Sequence, residues 1–313
     1  MIATLATILR SAAPLVFAAV GETISEKAGV VNLSLDGSLA LSALTGFVVA
    51  YESGNLWLGF AAAALVGAII ALVVAFASIE LRLNQIAVGF VLFQLCLGLA
   101  KFFGDSYANL NAPRVNNQPI PVLVDIPWIG PIFFDQDITV YASLLLVAGV
   151  FWYMFRTRRG LVLQGIGERP EGAHARGIPV NKLRYLYVMI GGAMVGLGGA
   201  GYSLAFKANW SDKLTDGLGW IALAIVIFGG WHPVRVALGV YMFSGLTALA
   251  STLQETFPAL AQVLPTLPFP LMILTLVIVN RKWMQDLSDR IPAMRNFLRS
   301  EPPGALGEPF VTD

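Results

Sequence analysis

Residues 56–79 read LWLGFAAAALVGAIIALVVAFASI, twenty-four in succession without a charged side chain. A bilayer core about 30 Å thick is crossed by about 20 apolar residues at 1.5 Å rise each, so this stretch is a membrane span. Working outward, the same pattern predicts clear spans over Ile86 to Phe103, Ile138 to Phe155, Leu183 to Ala205 and Val236 to Phe257. Weaker candidates are Leu5 to Val20, which holds Arg10 and Pro14, Leu35 to Tyr51, Leu218 to Gly230 and Phe269 to Val279. The last two are short for a simple crossing and read as broken or re-entrant pieces, which survive at membrane depth only under the shelter of protein or a water-filled cavity. The expected fold is therefore all-α: a polytopic membrane protein with about 8–10 transmembrane helices and broken or re-entrant segments, in contact with membrane lipid.

Composition agrees. The 313 residues are 57% hydrophobic and 12% charged, where a soluble domain carries roughly 25% charged residues. Twenty Lys and Arg against 19 Asp and Glu leave no basic surplus for nucleic acid. One cysteine, Cys96, excludes an intramolecular disulfide, and two isolated histidines do not make a metal site.

The placement of charge sets direction. Residues 156–184 hold Arg156, Arg158, Arg159, Arg169, Arg176, Lys182 and Arg184 against Glu168 and Glu171, which makes this segment cytoplasmic by the positive-inside rule. Arg281, Lys282, Arg290, Arg295 and Arg299 put the C-terminal side there too. Residues 104–137 hold four Asp against Arg114 and form the external loop. Residues 1–280 thus form a transmembrane domain, and 281–313 form a cytoplasmic tail. Its last stretch, from Ser300, is rich in Pro and Gly and is expected to be mobile. If the first apolar run spans once, the N-terminus is external; a re-entrant segment around Gly29 to Ser38 would reverse that.

Two polar constellations interrupt the apolar pattern. Residues 21–37 read GETISEKAGVVNLSLDG. Polar groups and glycine at a helix break suit a polar-substrate pathway, because broken helix ends offer free backbone donors and acceptors. An interfacial loop ending in a helix N-cap fits equally. Asn32, Ser34 and Asp36 are the candidates, with Asp36 the informative one as an ionisable group within a span. Asn84 and Gln85, which open LNQIAVGF, are candidates for the same pathway or for a hydrogen bond to a neighbouring helix. The second constellation is the cytoplasmic piece RPEGAHARG, residues 169–177. Pro170 suits a helix's first turn and Gly177 its C-terminal stop. A short amphipathic helix here either docks on a cytoplasmic partner or belongs to an ordinary solvated basic loop.

Several catalytic classes drop out. GLGGAG at residues 196–201 satisfies G-x-G-x-x-G but lies inside an apolar helix with no preceding strand, so it marks close helix packing and not a dinucleotide. No G-x-x-x-x-G-K-[ST], G-x-S-x-G or H-E-x-x-H occurs in the sequence. The chain carries no phosphate-binding loop of the first kind, and any ATP dependence must come from another subunit.

In order along the chain, AGVVNLSLDG, LNQIAVG, GIGERPEGAHARGIPV and GLGWIALAIVIFGGWHPVRVALGV resemble segments of permease subunits of bacterial ABC importers for nucleosides and simple sugars, within the branched-chain amino acid and ribose type permease superfamily. The resemblance runs from about Ala12 to Val279. It departs at Arg169, where Asn is usual, at Gly172, where Ala is usual, and at Asp36, where Glu is usual.

The resemblance implies a type II ABC importer-like permease, not itself an enzyme, that moves nucleosides or a similar polar solute across the bacterial inner membrane by alternating access. It implies as partners an ATP-binding subunit with two nucleotide-binding modules, which would hold ATP and Mg, a second homologous permease and an extracytoplasmic solute-binding lipoprotein. No cofactor is expected in this chain. Gly167, Glu168, Pro170, Glu171, Ala173 and Gly177 would couple to the ATPase. A branched-chain amino acid or simple-sugar ABC permease is the alternative within transport, and an ion-coupled secondary transporter, which would carry paired carboxylates or a relay histidine inside its spans, is the alternative of another class.

Overall fold

The computed structural model describes residues 2–108, 110, 113–215, 217–256, 266, 270, 274 and 302–310. These contain ten α-helices and no strand: α1 (Ile2–Lys27), α2 (Leu35–Ser53), α3 (Leu56–Ile79), α4 (Gln85–Gly104), α5 (Ile138–Arg156), α6 (Arg158–Glu168), α7 (Pro170–Ala175), α8 (Val180–Ala200), α9 (Leu218–Phe228) and α10 (Pro233–Thr256). Six crossings are long and apolar enough to span a membrane among the described residues: α1, α3, α4, α5, α8 continued to Phe206, and α10. The fold is an all-α polytopic membrane protein. The candidate span at Phe269 to Val279 lies, apart from Pro270 and Leu274, outside the described residues.

Helix starts follow from side chains that satisfy the first free N–H groups. Asn55 accepts from Trp57 N at 2.9 Å, Asn84 from Ala87 N at 3.1 Å and Thr157 from Gly160 N at 3.0 Å. Asp137 accepts from Thr139 N and Val140 N at 2.8 and 3.2 Å.

α8 is the hub, and glycine makes it one. A methyl group on Gly191 would lie 2.6 Å from Gly21 O, and one on Gly21 would lie 2.6 Å from Gly191 O, so α1 and α8 meet backbone to backbone. Gly192 and Gly196 meet α3 at Gly67 and Ala63, and Gly199 meets α2 at Leu39 O. In lipid, such close approach replaces the hydrophobic drive that is missing between helices. The GLGGAG run is thus a three-sided packing surface. Past it the helix widens into a π-type turn over 201–206, and Ser203 Oγ donates to Ala43 O at 2.8 Å.

The two ends of α1 separate two faces of the molecule. Arg10 donates from Nε to Gln136 Oε1 at 2.8 Å and from Nη2 to Asp135 O at 2.9 Å, which pins it to the external-loop candidate. Lys27, at the other end, lies against Gly167 of the basic segment. α1 extends seven residues beyond the expected limit of Val20, so Glu22 and Glu26 are buried within a helix. Each accepts one hydrogen bond there, Glu22 Oε1 from Asn32 N and Glu26 from the Trp231 indole, while Glu22 Oε2 has no hydrogen-bond partner among the described residues.

The expectation of a mobile terminal stretch does not hold for 302–310. This segment is folded back on the basic face, with Ala305 and Phe310 buried. Backbone hydrogen bonds and one aromatic ring hold it, although its composition offers little else to bury.

Candidate functional site

The break between α1 and α2 is a short irregular passage whose polar groups are bonded mainly to one another and to neighbouring helices. Glu22 Oε1 accepts from Asn32 N at 3.0 Å, and Gln85 Oε1 accepts from Val31 N at 2.8 Å. Asn32 Oδ1 accepts from Ser34 N at 3.1 Å and from Ser34 Oγ at 2.5 Å, while Ser34 Oγ and Ser38 Oγ lie 3.0 Å apart. Asn32, Ser34, Asp36, Ser38 and Gln85 are all buried. The fold therefore brings together four of the five residues expected on a pathway. Asn84 is left out: it is exposed and caps α4.

Asp36 joins α2 to α9. It lies in the first turn of α2, and its Oδ1 accepts from Gly219 N at the start of α9 at 2.8 Å. Two helix N-termini thus converge on one carboxylate, an arrangement favoured by the partial positive charge at each. A side chain on Gly219 would collide with Asp36, its Cβ lying 2.6 Å from Asp36 Cβ. This pairing spans 183 residues of sequence and had no local signal.

One helical turn below Glu22, the Glu26 carboxylate accepts from the indole N–H of Trp231 and so ties α1 to the bend between α9 and α10. Glu22 and Glu26 sit four residues apart inside one span, a spacing that marks them from the sequence as a paired feature once α1 is known to continue past Val20. His232 follows in the bend, its ring stacked on Phe155 with centroids 5.0 Å apart. Burial, helped by the nearby Arg235 and Lys27 charges, pushes its imidazole down to about 4.

The second candidate region lies at the other end of α1 from the loop pinned by Arg10. α7 starts at Pro170 and closes with Gly177 N to His174 O at 2.8 Å and Ile178 N to Ala173 O at 3.2 Å; Gly177 takes φ +78°. Glu168, Glu171 and Gly177 are exposed and Pro170 is half-buried. Ala173 and Gly167 face inward: Ala173 belongs to the core, and Gly167 packs on Lys27 O. Of the expected coupling set, these two anchor the segment and the other four present its surface. No group of three or more His, Cys, Asp or Glu able to hold a metal occurs among the described residues.

The loop expected to be external is strapped by backbone bonds from Gln118 N to Gln136 O and from Ile120 N to Phe134 O, both 2.9 Å. Its tip exposes Val122 and Trp128, each at positive φ, which the charge-based reading did not foresee.

Residues 4–276 match the family described as branched-chain amino acid transport system / permease component, and the chain belongs to that family. It is 41% identical over 245 residues to a putative glucose ABC transporter permease protein of Haloferax volcanii, covering 77% of this chain and 74% of the relative. It is 33% identical to the guanosine ABC transporter permease protein of Bacillus subtilis over 315 residues, 96% of this chain and 93% of the relative. To the nucleoside ABC transporter permease protein of Lactococcus lactis it is 34% identical, over 78% and 81%. No solved structure matches. This is a permease subunit of the ABC importer type and not an enzyme.

Proposed function

We propose that the chain carries nucleosides, or a similar polar solute, inward across a bacterial inner membrane by alternating access, driven by ATP and Mg held in a separate subunit with two nucleotide-binding modules. The observation that carries this reading is the buried polar break at Asn32 to Asp36, joined to the exposed α7 through one packed junction, Gly167 against Lys27 O. An interior polar break offers a solute path, and a rigid junction to a docking helix lets a partner's motion reach it. Guanosine and nucleoside permeases among the relatives support the solute class. Asn32, Ser34, Asp36 and Gln85 line the path in this reading; Glu168, Pro170, Glu171 and Gly177 meet the ATPase. The basic face with α7 and 302–310 is cytoplasmic, as cation placement favours. The opposite loop, with its exposed Trp128, receives an extracytoplasmic solute-binding lipoprotein, and a second homologous permease completes the pathway.

A simple-sugar solute is the second reading, favoured by the glucose permease relative. Uptake of labelled nucleoside, labelled glucose and labelled leucine, each measured separately in cells expressing the complete transporter, separates them. Uptake of nucleoside alone is expected; uptake of glucose alone selects the sugar reading, and of leucine alone overturns both. Uptake that survives ATP depletion and collapses with an uncoupler would overturn the ATP-driven mechanism.

A further inference from the structure

Residues 302–310 carry no helix, yet they bind three separate parts of the basic face. Ala305 N donates to Gly167 O at 2.9 Å and Gly304 N to the Glu168 carboxylate at 3.1 Å, both at the C-terminal end of α6. Gly307 N donates to Gly29 O at 3.1 Å, where α1 gives way to the break. Glu308 O accepts from Arg184 Nη1 at 3.0 Å near the start of α8, and Arg184 Nη2 also donates to Ile166 O at 3.4 Å. Two successive turns shape the segment, Leu306 N to Pro303 O and Glu308 N to Ala305 O, with Gly307 at φ +81°. Phe310 is buried in the same core cluster as Ile166 and Ala173, its ring 5.6 Å from that of His174 on α7.

The chemistry of these contacts is specific. The last carbonyls of a helix have no partner within it, and here the segment supplies a donor to one of them, Gly167 O of α6, and a second donor to Gly29 O just past α1. Arg184 is 1% exposed, and an unpaired buried guanidinium is costly. Fixing nine backbone residues has an entropic cost that these contacts offset.

We propose that residues 302–310 are a positioning clip: they lock the α6–α7 coupling segment to the start of the helix break, so that both move as one body when the ATPase subunit moves α7. This rests on the docking role assigned to α7 above. The clip touches Glu168 but leaves Glu171 exposed, so its loss should leave the Glu171 contact with the ATPase in place and impair transmission.

The test uses the complete transporter in proteoliposomes. Deletion of residues 302–313 is expected to leave the ATPase subunit co-purifying and hydrolysing ATP while the solute moved per ATP falls severalfold. Phe310→Asp should reproduce this fall and Phe310→Leu should restore coupling, an effect on the ratio that mere loss of folded protein would not give. An unchanged ratio in both the deletion and Phe310→Asp overturns the clip, and so does a raised ratio, which would make the segment an obstacle. Should the deletion fail to accumulate, Phe310→Asp decides, together with bridging of a His174→Cys/Phe310→Cys pair by a bifunctional thiol reagent in a Cys96→Ala background. Failure of that bridging in the assembled transporter, when each cysteine alone is labelled by a maleimide, also overturns the clip. Glu171→Arg distinguishes the two levels: if it leaves co-purification and uptake intact, the docking role of α7 fails, whatever the clip variants do.

Discussion

The helix break with the first turn of α2, residues 28–38, and the proposed coupling segment at 167–177 are both short, polar and glycine-bearing, yet they are built on opposite terms. In the break nearly every side chain is buried and spends its hydrogen bonds inward: Asn32 on Ser34, Gln85 on Val31 N, Asp36 on Gly219 N. In the coupling segment only Gly167 and Ala173 are buried, while Glu168, Glu171 and the cations face out. A polar group withdrawn from solvent has a structural cost if its partner is lost, whereas an exposed one has little. The break should therefore be sensitive in folding, and the coupling segment sensitive in function with the fold intact.

The strongest way to break this contrast is one substitution made in both places. Gly219→Ala forces a methyl group onto Asp36 and is expected to abolish accumulation of the protein in membranes, whereas Gly172→Ala, whose added methyl finds only Arg169 Cβ at 3.8 Å, leaves the level unchanged. Membrane blots of the two variants check this, and equal levels would contradict it. Next in size is Glu171→Arg. If α7 meets an oppositely charged or hydrogen-bonding partner surface, like-charge contact costs several kcal/mol, so uptake falls by roughly tenfold or more at normal protein level. Transport assays normalised to membrane content measure it.

A smaller effect concerns the bend between the regions. His232 is held at about 4 against an ordinary value of 6.5, so the unfolded chain takes up a proton on lowering the pH before the folded one does. Its contribution is complete above about pH 6.5 and shrinks as the pH falls toward 4. Thermal unfolding of the purified transporter should show a lower Tm at pH 5 than at pH 7, with the difference reduced in His232→Phe. The smallest expected effect is that of Asn84→Ala, which removes an exposed cap worth about 1 kcal/mol and sharpens the boundary of the break. Uptake at matched protein level should be unchanged; a marked rise in KM would return Asn84 to the pathway.

Much of this was legible from residue order. Runs without charge located the helices because the bilayer fixes their length, and Leu56–Ile79 was bounded to the residue. Pro170 and Gly177 bounded α7 because capping is local chemistry. The end of α1 was misplaced because Glu22 and Glu26 look like the close of a span, and only their bonds to Asn32 N and the Trp231 indole make burial acceptable. The clip was unreadable for a related reason: a Pro/Gly-rich stretch has no periodicity, and its order depends on carbonyls left free by helices far away in sequence.

By itself, then, the sequence determined the solvent, the places of most long apolar helices and the family resemblance, since each follows from composition, periodicity or short motifs. The tertiary structure alone decided which polar groups satisfy one another. Asp36 finds Gly219, Glu26 finds Trp231 and Gly167 finds Ala305. Buried donors and acceptors must pair, but which ones pair is set by how helices pack and not by their spacing along the chain.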